Sequence, residues 1–533
     1  MEMRMKKLKY WGWGHEGEML HASQAKALLD NLADFGIVPS DNGKFPDLDA
    51  INLPRCRIAP PATLQDMFKS AAYERVLHSF GQSQPDSIRI YSCDFAHAPD
   101  LVAYPGNAIE VAEIQDWCGD AGIAVIPYGG GSSVVGGVTG DIGSGYNGTA
   151  IINMSRMKKV LEIDDVSRAA RIQGGTRGPE LEAQLKPSGL TLRHFPQSFE
   201  HSTFGGWVAT RSGGHFATLY THIDDLIENV TMVTPSGEIS TRRLPGSGAG
   251  PSPDRFMMGS EGALGIITEG WARLQGRPVF KATAGFLFER FFDAAKAVRA
   301  VSQAGLYPAN VRIVDGVELK INGAGDGSRS LMVVSFENSD HPVDAWMARA
   351  DECCRDHGGI VDVEWRDNPG ANLQGTVGDW REAFIRMPYN REFLTPLGII
   401  SDTFETAITW ERFENFHDKI KEATELAIME ATGLKGAVSC RFSHSYPDGP
   451  APYFAFHAQG RKGELLRQWR EIKNAASQAV IEAGGTITHH HAIGRDHQEW
   501  YEKQRPELFG DILSEAKSRL DPRGIMNPGV IVR

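Results

Sequence analysis

The sequence lacks any uninterrupted apolar run of the ~18 residues that a membrane-spanning helix requires. Its basic start, Met1 to Tyr10, leads into Trp11-Gly12-Trp13-Gly14 rather than into the apolar stretch of a signal peptide. Residues 531–533 form no peroxisomal or retention tripeptide. We therefore expect a cytoplasmic protein whose contact with membranes, where it occurs, is peripheral.

Cysteine and positive charge are also scarce. The six cysteines form no C-x-x-C pair, and their wide spacing does not resemble a disulfide framework. A reduced compartment is the simpler expectation. Lys and Arg total 55 against 67 for Asp and Glu, which gives a net charge of −12. Because general nucleic-acid binding requires a cationic surface, we expect no nucleic-acid partner, whereas a few local arginines still suffice for a small anionic ligand.

The length of 533 residues exceeds what one hydrophobic core usually supports, so two or three domains are expected. Hydrophobic residues make up 41% and charged residues 23%, which is ordinary for a globular protein. Changes of pattern along the chain divide it into an N-terminal extension that packs on the body (1–94), an α/β region (95–277), an α+β region (278–484) and a C-terminal segment (485–533).

The clearest local pattern lies early in the α/β region. Residues 99–105 are typical of a short strand, and Asn107 is a favourable N-cap with Glu110 as its capping-box partner. The helix that they begin ends near Gly122, and the apolar run 123–128 predicts a buried strand. That strand leads directly into the glycine loop, GGGSSV, at residues 129–134.

Consecutive glycines after a buried strand have a physical use. Glycine accepts left-handed backbone angles and allows a ligand to approach closely, and successive amide N–H groups form a nest for an anion. The loop lacks the Lys-Ser/Thr of a Walker loop, and it lacks the glycine spacing and later acidic residue of a Rossmann fingerprint. We expect it to bind a diphosphate, and a glycine-rich surface turn is the alternative.

Two later segments, STFGGWVATRSGG at 202–214 and MGSEGALGII at 258–267, are also rich in small residues, which predicts a long ligand held between two subdomains. With PDLVAYPGNAIEVAEI and PYGGGSSVVGG, they resemble the FAD domain of the vanillyl-alcohol oxidase/p-cresol methylhydroxylase (PCMH-type) superfamily. The resemblance implies an α+β fold. It implies a two-subdomain PCMH-type FAD-binding domain at 95–277, an α+β cap (substrate) domain with an antiparallel sheet at 278–484, and a segment at 485–533 that returns to the active site.

By this resemblance, residues of the three segments bind one FAD without a covalent bond. Tyr128 and His215 are the nearby side chains of the types that bond to flavin in covalent relatives, and we discount His215 because it lies in the wrong segment. The implied cofactor-binding residues are Pro127, Tyr128, Gly129, Gly130, Gly131, Ser132, Ser133, Val134, Gln197, Ser198, Ser202, Thr203, Gly205, Gly206, Thr210, Arg211, Ser212, Gly213, Glu261, Gly262, Ala263, Leu264, Gly265, Ile266 and Ile267.

Within the superfamily, the chain looks most like the alkyldihydroxyacetonephosphate synthase family. The resemblance runs nearly end to end and includes WGWG at 11–14, PANVR at 308–312, YNRE at 389–392, TFET at 403–406 and THHH at 488–491. It implies that the acyl group of acyl-dihydroxyacetone phosphate is exchanged for a fatty alcohol, which forms an ether-lipid precursor without net redox. The expected partners are a phosphorylated lipid-like substrate and a fatty alcohol, and the resemblance implies a homodimer.

The resemblance places His489, His490, His491 and Tyr453 at the active site. Imidazoles with a pKa near ~6.5 could move protons at neutral pH, and in a strand the outer two would face one way and His490 the other. A polar patch and a metal site are the alternatives for the triplet, but no second cluster of ligands completes a metal set, so we predict no metal. Tyr453 matches the family's acid/base tyrosine, and a core tyrosine is the alternative.

Three further residues match active-site positions of the family. Arg391 matches a phosphate-binding arginine, since a guanidinium binds two oxygens at once, and a surface salt bridge is the alternative. Arg312 matches an arginine near the flavin, and pairing with Asp315 is the alternative. His194 matches a family histidine, although on sequence alone a structural role fits it better.

Some positions depart from the family pattern. Gln197 stands where an acidic residue is usual, and His201 replaces an apolar one. These departures leave two alternatives open. An FAD-dependent dehydrogenase or oxidase of a 2-hydroxy acid or phenolic alcohol shares the FAD domain but lacks the histidine triplet and the paired arginines. A flavin-binding assembly protein without turnover is the other, and it explains less of the titratable cluster.

Overall fold

The computed structural model describes residues 7–365 and 375–532, so that residues 1–6 of the N-terminal extension and Arg533 of the C-terminal segment lie outside it. None of the helices in these ranges combines the length and apolar character that a membrane span needs. The N-terminal extension contains α1 (Ala22–Ala33), β1 (Phe68–Lys69), α2 (Ala72–Leu77) and α3 (Gln84–Tyr91). Buried apolar side chains join α2 and α3, among them Tyr10, Val76, Phe80, Ile90 and Phe95. Leu28 and Leu32 of α1 belong to a different cluster, with Ile321, Leu394 and Ile399.

A four-stranded sheet, in the order β1-β2-β4-β3, carries the glycine loop. Its elements are β2 (Leu101–Ala103), α4 (Ala108–Ala121), β3 (Ile123–Tyr128) and β4 (Gly148–Asn153). The helix begins at its predicted cap, because Asn107 Oδ1 accepts the Glu110 N–H at 3.0 Å, and it ends at Gly122, whose φ is 64°. Since β3 lies in parallel beside β4 and is buried, its carboxyl end delivers the glycine loop to the sheet edge.

A five-stranded antiparallel sheet, in the order β5-β6-β10-β8-β9, forms the second subdomain. The elements of this part are β5 (Val160–Asp164), β6 (Ala169–Gln173), α5 (Gly178–Leu185), β7 (Leu190–Thr191), α6 (Phe204–Thr210), β8 (Ile227–Thr234), β9 (Gly237–Ser240), α7 (Pro253–Met257), β10 (Ile266–Arg273) and β11 (Gln275–Gly276). Phe204 and Trp207 anchor α6 in the core of this sheet, and this fixes the second glycine-rich segment.

A seven-stranded antiparallel sheet, in the order β15-β12-β14-β13-β17-β18-β16, dominates the rest of the chain. Its elements are β12 (Phe280–Phe288), α8 (Phe291–Gln303), β13 (Asn310–Val314), α9 (Gly316–Ile321), β14 (Ser330–Asn338), α10 (Asp344–Asp356), β15 (Ile360–Val363), α11 (Gly375–Arg386), α12 (Pro388–Leu394), β16 (Ile399–Glu405), α13 (Trp410–Thr432), β17 (Ala437–Ser445), β18 (Pro450–Gln459) and α14 (Leu465–Glu482).

The period-two alternation of strands gives this sheet two different faces. Phe454 and Phe456 of β18 belong to the largest hydrophobic core, which the buried sides of α8, α10, α13 and α14 complete. The intervening Tyr453, Ala455 and His457 line a cavity on the opposite face. On the cavity side, Arg312 of β13, Ser335 of β14 and Arg441 of β17 are polar. The same side of β13 and β14 also carries Val314, Leu331 and Val333, which form a smaller apolar cluster.

The C-terminal segment contains α15 (Gln498–Gln504) and α16 (Glu507–Leu520) and then returns to the first sheet. Val125 N donates to Ile525 O at 2.8 Å, and Asn527 N donates to Val125 O at 2.8 Å. The predicted α+β class with an antiparallel sheet in the cap is confirmed. The strand considered for the histidine triplet is wrong, since residues 489–491 form consecutive bends.

Candidate active site

One cavity of about 980 Å3 lies between the glycine-rich segments and the polar face of the seven-stranded sheet. That volume is at the upper end of ligand pockets and suits a large ligand plus a substrate. The predicted cofactor residues that line it are Pro127, Tyr128, Gly129, Gly130, Gly131, Ser132, Ser133, Val134, Gln197, Ser198, Ser202, Thr203, Gly205, Gly206, Thr210, Ser212, Gly213, Glu261, Gly262, Gly265, Ile266 and Ile267. Tyr453, Arg312, Arg391, His490 and His491 line the same cavity.

Four predicted site residues lie outside the cavity wall. Ala263 and Leu264 are buried in apolar clusters, and Arg211 forms an ion pair with Asp224, Nε to Oδ2 at 2.6 Å. His489 lies behind the other two histidines of the triplet, where its Nε2 bonds to Tyr446 Oη at 2.6 Å. These four therefore support the wall rather than form it.

The glycine loop has the geometry of an anion nest. In the part of the chain that the structure describes, the amides of Gly130, Gly131, Ser132 and Val134 donate to no protein acceptor. Such donors at a cavity need a ligand or water, and a diphosphate supplies several acceptors at once. Ser133 has a different task, because its Oγ accepts the Gly137 N–H at 2.8 Å and braces the loop. The loop residues thus fit the diphosphate of FAD.

Glu261 connects the third glycine-rich segment to the C-terminal segment. Its carboxylate accepts the amides of Ile493 and Gly494 at 2.7 and 2.8 Å, and its backbone φ of 48° is left-handed. Burial raises its pKa to about 7, although the two amides act in the opposite direction. The carboxylate therefore ties the chain that follows the histidine triplet to the cofactor wall.

Tyr453 lies at the centre of a row of side chains that the strand register creates. It is directly opposite Arg441 of β17 and opposite Glu405 of β16. Opposed residues of antiparallel strands point to the same face, so the three side chains are neighbours. The Tyr453 hydroxyl donates to Thr403 Oγ1 at 3.1 Å. Burial raises the pKa of Tyr453, and Arg441 is the main opposing influence.

The histidine triplet wraps around the buried carboxylate of Glu405. The amides of His489, His490 and His491 all donate to its two oxygens, and Thr488 Oγ1 donates to Oε1 at 2.5 Å. Although burial raises the pKa of Glu405, the neighbouring imidazoles and the hydrogen bonds lower it below its ordinary value. The carboxylate anchor explains why the triplet bends, since extended backbone cannot aim three successive amides at one group.

The expectation that the triplet titrates near neutral pH is wrong. Burial lowers the pKa of His490 to about 3 and that of His491 to about 4, and it lowers the pKa of His489 well below 6.5. The neutral imidazoles still donate and accept hydrogen bonds. His490 and His491 face the Tyr453 ring with centroid distances of 6.0 and 5.3 Å, where they can orient a substrate oxygen.

Acid should destabilise the fold in a defined pH window. The pKa values of His490, His491 and His457 in the folded protein lie between about 3 and about 4, whereas the ordinary value is 6.5. The stability that these neutral histidines contribute is therefore fully present above pH 6.5 and is lost as the pH falls toward 4. Each such histidine contributes up to ~1.4 kcal/mol per pH unit in this window. We expect the melting temperature to fall between pH 7 and pH 5.

The pH dependence has a matched pair of variants. His457→Gln removes one buried imidazole and should make the decline shallower, whereas His97→Gln changes an exposed histidine and should leave the slope as it is. Differential scanning calorimetry across the window measures both slopes. Equal slopes in the wild type and in His457→Gln would show that the buried imidazoles do not control acid stability.

A further histidine joins the cluster from β17. Ligand atoms of His444, His489 and His490 lie within 4.8 Å of one another, so a third potential ligand lies near the triplet, which the search of the sequence for a Cys or a second His cluster missed. The nitrogens already have partners, however. His444 Nε2 bonds to Gly214 O at 3.1 Å, and His489 Nδ1 bonds to His490 Nδ1 at 3.1 Å. The absence of a bound metal stays a prediction.

The arginines of the cavity differ in how far their charge is neutralised. Arg391 Nη2 pairs with buried Asp402 at 3.0 Å, and Arg441 Nη1 pairs with buried Glu318 at 2.8 Å. Among the described residues Arg312 has no acidic partner, and the alternative of a pair with Asp315 is wrong because Asp315 caps α9. Burial and Arg441 lower the pKa of Arg312 to about 10, so it remains a cation facing the cavity.

The remaining candidates have structural partners. Buried His194 bonds through Nε2 to Ser212 Oγ at 2.8 Å, as a structural role predicts. His215 lines the cavity beside Arg193, which contacts its Nε2 at 3.0 Å. Gln197 reaches across to the cap, where Nε2 donates to Phe384 O at 3.1 Å. Tyr128 directs its hydroxyl beneath the glycine loop toward Leu77 O at 3.4 Å.

The N-terminal extension contributes a wall residue that the sequence argument missed. Trp13 lines the cavity, and its ring lies 5.4 Å from that of His201. Its amide donates to Glu392 Oε2 at 3.1 Å, and Lys9 Nζ donates to Glu392 Oε1 at 2.5 Å. Because Glu392 follows Arg391 on α12, this contact joins the extension to the helix that carries a candidate phosphate ligand. The WGWG motif carried the only sequence signal for it.

Replacing Lys9 by Met should lower the free energy of unfolding by ~2–4 kcal/mol, because it leaves Glu392 buried without its cation. Urea denaturation measures the loss. Lys26→Met is the control, since Lys26 pairs with Asp30 on an exposed helix surface and its removal should cost ~0.5 kcal/mol or less. A Lys9 variant as stable as the control would mean that the extension is only loosely attached.

Comparison with known proteins agrees with this geometry. Residues 99–242 match the family model of an FAD binding domain, and residues 277–531 match that of the C-terminal domain of FAD linked oxidases. An alkyldihydroxyacetonephosphate synthase from Dictyostelium discoideum is 29% identical over 496 residues, which covers 88% of this chain and 79% of that protein.

Solved structures extend the likeness to the whole fold. A structure of alkyldihydroxyacetonephosphate synthase superposes with a TM-score of 0.81 at 26% identity and covers 98% of both chains. The fold of p-cresol methylhydroxylase superposes with a TM-score of 0.67 at 14% identity over 87% of this chain and 94% of that one. The chain is therefore an FAD-dependent enzyme that is similar, in sequence and in fold, to the alkyldihydroxyacetonephosphate synthases.

Proposed function

We propose that the enzyme exchanges the acyl group of acyl-dihydroxyacetone phosphate for a fatty alcohol. In the balanced reaction, the bond between the dihydroxyacetone carbon and the acyl oxygen breaks, and an ether bond to the alcohol oxygen forms. The fatty acid leaves as carboxylate and the alcohol gives up its proton. The observation that carries the proposal is the pairing of a diphosphate-binding loop with an unneutralised buried cation, Arg312, in one cavity.

The residues have separable tasks in this proposal. Bound FAD supplies a reactive isoalloxazine, and the amides of residues 130–134 hold its diphosphate. Tyr453 Oη holds or removes a proton at the substrate, because it is buried, faces the cavity and has a hydroxyl acceptor in Thr403. His490 and His491 orient the substrate as neutral donors and acceptors. Arg312, with Arg391, binds the phosphate.

Arg312→Met should raise the KM for the phosphorylated substrate by ~10- to 100-fold with a smaller change in kcat. A charge-assisted hydrogen bond contributes ~1.5–3 kcal/mol, and no acidic side chain in the described part of the chain neutralises Arg312. Arg299→Met, on the exposed surface of α8, is the matched control and should leave KM unchanged. Steady-state kinetics at several substrate concentrations measures both, and an unaltered KM in Arg312→Met would place the phosphate elsewhere.

The decisive test of the reaction uses a labelled fatty alcohol. With acyl-dihydroxyacetone phosphate, the label should appear in an ether-linked product that resists alkaline hydrolysis, and one fatty acid should be released per ether formed. A parallel anaerobic experiment offers D-lactate, D-2-hydroxyglutarate or vanillyl alcohol. Bleaching of the flavin by one of these compounds, without ether formation, would support the dehydrogenase or oxidase alternative and end the proposal.

We also propose that the FAD is bound without a covalent link. The support is that Tyr128 directs its hydroxyl toward Leu77 O and that His215 is held by Arg193. Acid precipitation should therefore release all of the flavin into the supernatant, and colour retained in the pellet would contradict this.

We further propose that the protein contacts membranes peripherally and that it forms a homodimer. Three exposed apolar side chains on the first turns of α16, Leu508, Phe509 and Ile512, support the membrane contact, since they are 77%, 44% and 60% exposed. Flotation with phospholipid vesicles tests the contact, and light scattering during size-exclusion chromatography tests the oligomeric state.

A further inference from the structure

Arg441 has a relation to Tyr453 that the proposed roles do not use. The two residues are directly opposed on β17 and β18, and the guanidinium carbon of Arg441 lies 3.9 Å from the centroid of the Tyr453 ring. Both side chains are buried, at 5% and 7% exposure. A cation at this distance over a phenol ring interacts with its face, and it interacts more strongly when the phenol is ionised.

A second contact fixes the position of the guanidinium. Arg441 Nη1 donates to Glu318 Oε1 at 2.8 Å, and Glu318 is 2% exposed. Burial lowers the pKa of Arg441, but Glu318 and the other groups around it raise the pKa above its ordinary value, so Arg441 stays charged. The α9 helix that carries Glu318 thus holds a permanent cation over the tyrosine.

We infer that Arg441, held by Glu318, is a positioning residue that stabilises the phenolate form of Tyr453 and so sets the pH range of proton transfer. The role in proton transfer rests on the proposed function. The effect of Arg441 on the ionisation of Tyr453, however, can be measured without turnover.

The other groups around Tyr453 do not substitute for Arg441. Glu405, opposed on β16, disfavours the phenolate, and His490 and His491 are neutral. Arg391 acts in the same direction as Arg441 but is engaged by Asp402, and its influence on Tyr453 is smaller. Burial alone would keep the phenol protonated, so the opposed guanidinium is the main group that favours its ionisation.

The size of the effect follows from simple electrostatics. A unit charge as close to a phenol as the Arg441 guanidinium, 3.9 Å from the ring centroid, shifts the titration of the phenol by ~2 pH units at an effective dielectric constant near 20. Glu318 cancels part of this field. We therefore expect removal of the Arg441 charge to raise the titration midpoint of Tyr453 by about one pH unit.

The experiment reads the tyrosine directly in the FAD-loaded enzyme. Trifluorotyrosine in place of Tyr453 has an ordinary pKa well below that of tyrosine, which brings its titration into the range where proteins stay folded, and 19F NMR follows it. Arg441→Met should raise the midpoint by about one pH unit, and Arg441→Lys should restore part of the shift because it keeps the charge but not the planar fork. A midpoint that does not move in Arg441→Met overturns the inference.

A second variant guards against loss of folding. Because Arg441→Met leaves Glu318 buried without its partner, the double variant Arg441→Met/Glu318→Gln removes both charges, and it should also raise the titration midpoint of Tyr453.

Two different results separate failure of the inference from failure of the proposed function. A shifted midpoint with unchanged activity in Tyr453→Phe supports the electrostatic relation and removes the tyrosine from catalysis, whereas an unshifted midpoint removes Arg441 whatever the activity.

Discussion

Replacing Tyr453 by Phe should lower the rate of the proposed exchange by ~10²- to 10⁴-fold while the protein keeps its flavin and its stability. The size is that of a lost general acid or base. Phe retains the ring that Arg441 covers at 3.9 Å, and the hydroxyl that it lacks donates to Thr403 Oγ1 at 3.1 Å. The variant therefore removes a proton-transfer group with little change in packing.

The matched control is Tyr501→Phe. Tyr501 packs beside Ala263, Leu513 and Val530 near the chain end and does not line the cavity. Its kcat should match that of the wild type. Single-turnover assays separate binding from chemistry, so the loss in Tyr453→Phe should appear in the chemical step and leave substrate affinity largely intact. Full activity in Tyr453→Phe would assign proton transfer to another group, of which neutral His490 and His491 are the nearest.

Local signals predicted the cofactor side of the site well. The cap at Asn107, the stop at Gly122 and the buried strand 123–128 all form as expected, because each depends on residues within one turn or one strand. The glycine loop then follows the strand, as predicted. Resemblance to the flavoprotein superfamily supplied the other two segments, and the structure brings most of their residues to one cavity.

Long-range relations could not be predicted in the same way. A register shift in the pairing of β17 with β18, between Phe442 and His444, adds one residue to β17. Strict alternation from Arg441 would send His444 to the opposite face, but the bulge brings both to the cavity side. Arg441 itself carried a weak signal, as a charged residue inside the otherwise uncharged strand CRFSHS.

The conformation and the pKa values of the histidine triplet could not be predicted from the local sequence either. Its sequence predicted neither the bend nor the low pKa values. The bend comes from Glu405, which lies more than eighty residues earlier in the chain and reaches the triplet only through β16. The low pKa values come from burial, which Glu405 opposes. Trp13 is equally remote from the cavity in sequence. Its position depends on Glu392, which closes a contact across most of the chain. Contacts between side chains that are distant in sequence produce no periodic pattern in the sequence from which they could be predicted.

Gly130→Ala should reduce the affinity for FAD by ~10²-fold. A Cβ on Gly130 would lie 1.8 Å from His201 O, 2.7 Å from His201 C and 3.0 Å from Ser202 Cα. These neighbours are backbone atoms that no rotamer change can move, so the loop must shift away from the second glycine-rich segment. Overpacking of this kind costs ~1–3 kcal/mol, and the apoprotein escapes the cost by letting the loop move.

FAD binding must then return the loop to the position in which its amides converge on the diphosphate, so the strain reduces affinity rather than stability. Fluorescence titration of the apoprotein with FAD measures the dissociation constant. Gly246→Ala is the control, because no atom lies within 4 Å of a Cβ at that position, and it should bind FAD like the wild type. If Gly130→Ala retained wild-type affinity, the amides of residues 130–134 would not be what holds the diphosphate. The proposed position of the flavin beside Tyr453 would then lose its support, because the roles of the other residues in the proposed site depend on the diphosphate being bound by that loop.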